Sequence, residues 1–284
     1  MSKIAIITDT DSSLPVELAL SMGITQVPIM LSFDADTFAA VEEIDDARVF
    51  ARIDQTGKLP KTAAPAPGQF SQAFEQAFQA GADSILCFCV SSEVSATYSA
   101  ALAAKELAPD RDITVIDSRS LSMGFGFMVL EAAEAARSGA SKDEIIARAM
   151  NVRDRTHLYV ALSTLKYLAM SGRVSQVAAG FASVLSVKPI LTIRDGKLDL
   201  LERVRTQSKA SARVIELAGA ASQGKQIERL CIVHVNAAET ARQFEAQLSQ
   251  SLQYPPNPMF IELTPGLSVH SGAGLVGACF VTGA

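Results

Sequence analysis

Residues 84–118 read SILCFCVSSEVSATYSAALAAKELAPDRDITVIDS, and their pattern decides the fold. Ile85 to Val90 is a continuous apolar run, short enough for a strand buried on both faces. The alanine-rich stretch 95–108 reads as a helix. ITVIDS (113–118) is apolar again. Two strands joined by a helix lie parallel, because a crossover of this length replaces a hairpin turn. Four hydroxyls, Ser91, Ser92, Ser95 and Thr97, crowd the junction between the first strand and the helix. Ser95 is expected at the N-cap, with its hydroxyl and the N–H groups of Ala96 and Thr97 facing one point. That arrangement suits a carboxylate or a phosphate. An ordinary capped helix without a ligand has the same pattern.

Working outward, KIAIIT (3–8) reads as a buried strand and PVELALSMG (15–23) as a short helix, with Pro15 at its start and Gly23 at its end. ITQVPIMLSF (24–33) is expected to be a second strand, bulged or at an edge because of Pro28. Helices follow at 45–57 and 69–81, separated by PKTAAPAPG (60–68), which reads as a loop. Two more helices are expected near 122–138 and 141–155. The second half opens with a strand at 157–162 and helices at 163–172 and near 174–185. KPILTIRDGKLDLLERVR (188–205) is a hairpin around Asp195-Gly196. Helix 207–223, strand 229–234, helix 237–252 and strand 258–263 lead to a glycine-rich turn, VHSGAG, and a last strand. A domain boundary near residue 155 gives an N-terminal, mostly parallel α/β domain (1–155) and a second α/β domain (156–284) with a mixed sheet.

Composition narrows the function. The chain has 284 residues, 49% hydrophobic and 19% charged, with a net charge of −5. A large core can be buried, and an acidic balance argues against general nucleic-acid binding. The most basic stretch, Arg203 to Arg213, reads as a solvated strand-to-helix junction. The mean hydropathy of +0.23, with no Trp and 6% aromatics, points to an aliphatic core or an aliphatic pocket. Cys87, Cys89, Cys231 and Cys279 fit no metal-ligand spacing and read as buried thiols. No apolar run reaches the length of a membrane span or a signal-peptide core, so a cytoplasmic, soluble protein is expected.

Three sites carry candidate chemistry. Asp9 and Asp11, after the first strand, resemble the nucleophile loop of metal-dependent phosphotransferases. The alternative is that Asp11 and Ser12 cap the following helix, and the acidic run Glu42 to Asp46 follows no convincing strand. A Ser95/His270/Asp117 triad can be drawn, without a G-x-S-x-G elbow to support it. Thr62 lies in the proline-stiffened loop, where ligands of parallel sheets gather. Among the histidines, His157 and His234 border apolar runs and read as structural. His270 precedes small residues that let backbone approach closely, a feature of ligand-facing turns.

Taken in order, ITDTDSSLP, PKTAAPAPGQF, SSEVSATYSAA, VIDSRSLSMGFG, LKYLAMSGRVS, LSVKPILTIRDGKL and HSGAGLVGA resemble the motifs of the DegV family of bacterial lipid-binding proteins. The match spans essentially the whole chain. The resemblance implies a two-domain protein holding one long-chain fatty acid between its domains, without a cofactor or catalysis of its own. It implies that Thr62, Ser95 and the N–H of Ala96 hold the carboxylate, with His270 in the same network. It implies that Arg173 helps engage a separate ATP-dependent fatty-acid kinase that makes an acyl phosphate for phospholipid synthesis. Transient membrane contact for lipid exchange is part of the same expectation. A lipid-sensing regulatory role is the other reading of such a carrier. The usual serine and glutamine after the loop threonine are Ala63 and Ala64 here, and the glycine after the motif serine is Ala96.

Overall fold

The computed structural model describes residues 3–172 and 187–284. In the first half the strands are β1 (Ile4–Asp9), β2 (Ile24–Val27), β3 (Met30–Phe33), β4 (Asp36–Ala39), β5 (Lys61–Ala63), β6 (Ser84–Cys89) and β7 (Ile113–Asp117). The helices are α1 (Val16–Met22), α2 (Asp46–Thr56), α3 (Pro67–Gln79), α4 (Thr97–Glu106), α5 (Met123–Arg137) and α6 (Lys142–Asp154). The second half runs β8 (Thr156–Ala161), α7 (Lys166–Met170), β9 (Lys188–Arg194), β10 (Lys197–Val204) and α8 (Gln207–Ser222). It closes with β11 (Ile227–His234), α9 (Ala238–Leu248), β12 (Met259–Glu262), α10 (Pro265–Ser271) and β13 (Val276–Thr282).

The fold is mixed α/β, as expected. A parallel sheet of order β2-β1-β6-β7 occupies the first half, and a mixed sheet of order β10-β9-β8-β13-β11-β12 the second. Period-two alternation sorts the side chains of both. Ile6, Leu86, Phe88 and Ile116 face a central core, while their neighbours Ile7, Ile85, Cys87 and Ile113 pack under α3 and α4. In the mixed sheet, Leu158, Val160, Val233 and Val281 join that central core. Leu230, Ile232, Ala278 and Phe280 pack under α8 and α9 on the other face. Each sheet therefore turns one face toward the other, and α5 lies between them against β1, β8 and β13. Its first two turns, Met123 to Leu130, are buried all round, as a helix between two sheets must be. Arg229 of β11 reaches Glu131 and Glu134 of α5 at 2.9 and 2.6 Å, fixing the helix against the mixed sheet.

The hairpin of β9 and β10 forms around Asp195-Gly196, both with positive φ (51° and 82°), as a type I′ turn requires. Its tip reaches across to the first half. Ser91 Oγ donates to Gly196 O at 2.7 Å, and Arg119 Nη2 donates to Asp195 O at 2.7 Å. A Cβ on Gly196 would stand 2.7 Å from Ser91 Oγ, so the contact needs glycine twice over. The four cysteines are free and buried; Cys87 and Cys89 share a face with their sulfurs 3.9 Å apart.

Several local expectations need correcting. The strand expected over 24–33 is two strands, because Pro28 interrupts it. The Ile29 N–H that follows donates to Thr10 Oγ1 at 3.0 Å rather than to a ladder. The loop at 60–68 contains β5, which pairs with β3, and β4 completes a three-stranded antiparallel sheet of order β4-β3-β5. The glycine-rich turn around His270 is preceded by α10, and His270 stands in that helix's last turn. The helix expected near 174–185, and Arg173, lie outside the described residues. Among the described residues, no helix is long and apolar enough to cross a membrane.

Candidate functional site

A cavity of about 710 Å³ opens between the two sheets. Small-molecule sites span roughly 300–1,000 Å³, so it has the capacity of one. Its wall is aliphatic. Leu158 and Val160 of β8, Leu191 and Ile193 of β9, Leu198 of β10 and Val233 of β11 come from the inward face of the mixed sheet. Ile29, Leu121 and Leu267 close it from the first half and from α10.

Polar groups gather where three irregular elements meet. β5 supplies Thr62, the β6–α4 junction supplies Ser95 and Ala96, and α10 supplies His270; all four line the cavity. Thr62 Oγ1 and His270 Nε2 lie 3.0 Å apart, a hydrogen bond between residues 208 positions apart in the chain. Thr62, Ser95 and His270 are half-buried and Ala96 is exposed, as expected at a cavity mouth. Ser95 Oγ accepts the Thr97 N–H at 3.3 Å and lies 2.8 Å from Thr97 Oγ1. This corrects the expected geometry in two respects. Ala96 occupies the position just before the helix, and the Thr97 N–H is already satisfied by Ser95. Ser99, one turn further along α4, also lines the cavity, and an i, i+4 pair of serines was the sequence signal for it. Ala63 and Ala64 line the mouth with methyl groups.

The other candidate chemistry is not assembled. Asp117 accepts from Ser92 Oγ at 2.5 Å and from the Arg119 N–H at 2.9 Å, Ser95 pairs with Thr97, and His270 pairs with Thr62, so no triad forms. Asp9 is fully buried. Its two oxygens accept the N–H groups of Asp11 (2.9 Å) and Val90 (2.8 Å), which joins the turn after β1 to the end of β6. Burial pushes its carboxyl well above the usual carboxylate range. A carboxylate committed in this way is a strut rather than an exposed nucleophile: Asp9 caps the short turn Thr10–Ser12, and α1 starts after Pro15 with no side-chain cap, so Asp11 and Ser12 do not cap it as expected. Asp11 lines the cavity beside Gly266, whose missing Cβ would stand 2.2 Å from Asp11 Oδ1. His157 stacks on Phe280 at 5.1 Å, and burial holds its pKa below the ordinary value, as for a structural histidine. His234 is buried beside Glu262, and burial lowers its pKa too. Among the described residues no group of three His, Cys, Asp or Glu side chains is placed to hold a metal.

Hydroxyls and an imidazole at the mouth of an aliphatic cavity suit an amphiphile with a small acidic head. Comparison with known proteins points the same way. The model of a family described as uncharacterised proteins of the DegV family matches residues 3–283. A DegV domain-containing protein of Mycobacterium bovis is 36% identical, with 99% of this chain and 98% of that protein aligned. One from Caldanaerobacter subterraneus is 31% identical, with 99% of each covered. Among solved structures, a fatty-acid-binding DegV family protein from Thermus thermophilus superposes with a TM-score of 0.91 at 26% identity, covering 99% of both chains. The fatty-acid-binding protein DegV of Bacillus subtilis gives a TM-score of 0.88 at 26% identity over all of both chains.

Proposed function

The chain belongs to the DegV family, and from that premise we propose that it binds one long-chain fatty acid in the cavity between its sheets. The acyl chain lies along the aliphatic wall, between domains divided near residue 155. The carboxylate sits at the mouth, held by Thr62, Ser95, the Ala96 N–H and the network of His270. The observation that carries this reading is the joining of a 710 Å³ aliphatic cavity to one cluster of hydroxyls and imidazole.

The energetics support it. A sixteen-carbon acid has roughly fifteen carbons to bury, and at about 0.8 kcal/mol each the gross gain is on the order of 10 kcal/mol before ordering costs. Release should then be slow. The same reading gives the chain no chemistry of its own. It holds the carboxylate where a separate ATP-dependent kinase can reach it, with Arg173 as the residue assigned to that encounter. Titration of the delipidated protein with palmitate tests the binding step. One site per chain is expected, weakened about fivefold or more in Ser95→Ala through loss of one hydrogen bond to a charged group. Absence of saturable uptake would remove the proposal.

A further inference from the structure

The acidic run Glu42 to Asp46 plays no part in the site described above, yet its last residue ends against the helix that carries His270. Ser268 Oγ of α10 donates to Asp46 Oδ1 of α2 at 2.5 Å, across 222 positions of sequence. At that length it is a short hydrogen bond. Ser268 is fully buried and Asp46 is 6% exposed. Asp46 Oδ2 is buried and has no hydrogen-bond partner among the described residues. Burial pushes its pKa up to about 7, against the Ser268 hydroxyl, which lowers it; the charges of Glu262 on β12 and of Asp45, the cap before α2, add smaller upward pushes.

A buried carboxylate with one neutral donor and two acidic neighbours costs folding stability. An asparagine would make the same bond without that cost. What the bond does follows from its position. α10 is short, Pro265–Ser271, and packs on α2 and α7. Ser268 stands about 200° around the helix from His270, so the tether pulls on the face away from the ligand. Asp46 does not line the cavity.

We propose that Asp46 is a positioning residue of the head-group site: by holding Ser268 it sets α10, and so places His270 against Thr62 at the cavity mouth. The proposal rests on the fatty-acid reading. Among the described residues, the titratable groups set against α10 and its tether are Asp46 on α2 with Asp45 before it, Glu262 on β12, Asp11 after β1, Tyr167 on α7 and His270 itself.

The test compares palmitate affinity across pH for the wild type, Ser268→Ala, Asp46→Ala and Asp46→Asn, with hydrogen exchange of the α10 amides in the delipidated proteins. Ser268→Ala and Asp46→Ala should each weaken palmitate about fivefold. A protein carrying both Ser268→Ala and Asp46→Ala should be no weaker than either alone. Asp46→Asn keeps an acceptor and should recover affinity to within about twofold of the wild type. A protonated carboxyl still accepts through its carbonyl oxygen, as the amide does, so wild type and Asp46→Asn should show the same pH profile of palmitate affinity. Amides of α10 should exchange faster in both alanine variants. Palmitate binding and α10 exchange unchanged by all three substitutions would overturn the tether alone. No palmitate binding by the wild type would overturn the reading beneath it.

Discussion

The wall and the mouth of the cavity are built in opposite ways. The wall comes from β8, β9, β10 and β11, where alternate residues of regular strands point inward and any aliphatic side chain of suitable size serves. Its side chains stabilise the fold as they are buried. The mouth comes from a three-residue strand, a loop and a seven-residue helix, each delivering one or two polar side chains. Its supports are buried carboxylates, Asp9 behind the β6–α4 junction and Asp46 behind α10. The wall is a by-product of folding, whereas the mouth is held in place at some expense of stability.

The largest expected effect breaks the comparison at the mouth. Carboxyls raised by burial keep protons in the folded state that the unfolded chain gives up. Asp46 rises from 3.8 to about 7, and Asp9 also rises. Folding stability should therefore fall as pH increases from about 4 to about 7 and level off above. Urea unfolding at a series of pH values checks this, and Asp46→Asn should make the slope shallower. The next effect is at the wall. Leu191 is 2% exposed, and Leu191→Ala should cost about 2–4 kcal/mol in the same unfolding experiment. Gly196→Ala, at the point where the wall's hairpin latches onto the mouth, should cost about 1–2 kcal/mol from its positive φ and the Ser91 contact. The smallest effect on folding is at the proposed head-group site. Thr62→Val should leave stability within about 0.5 kcal/mol while weakening palmitate about tenfold, read by a thermal melt and a binding titration. A Thr62→Val protein that melts early but binds normally would reverse the contrast between the two regions.

The same contrast explains what could be read from the sequence. The strands of the wall announce themselves by apolar runs and by the Asp195-Gly196 turn, and β8 to β10 stand close to where the pattern puts them. The mouth gives weaker signals. β4 and β5 are short and largely exposed, so they carry no hydrophobic period. α10 holds a glycine and a β-branched valine, poor helix formers, and forms because burial against α2 and α7 overrides propensity. Thr264 and Pro265 were its one legible start signal. Thr62 and His270 are each visible as candidates, but nothing local says that they touch. The partnership of Asp46 with Ser268 has no sequence signature at all, because hydrogen bonds between distant helices leave none.

The most direct measurement is denaturing organic extraction of the purified protein followed by mass spectrometry of the extract. One long-chain fatty acid per chain is the expected result, with its length matched to the cavity. An empty extract, together with no uptake of added palmitate or oleate, would contradict the assignment of the cavity to a lipid.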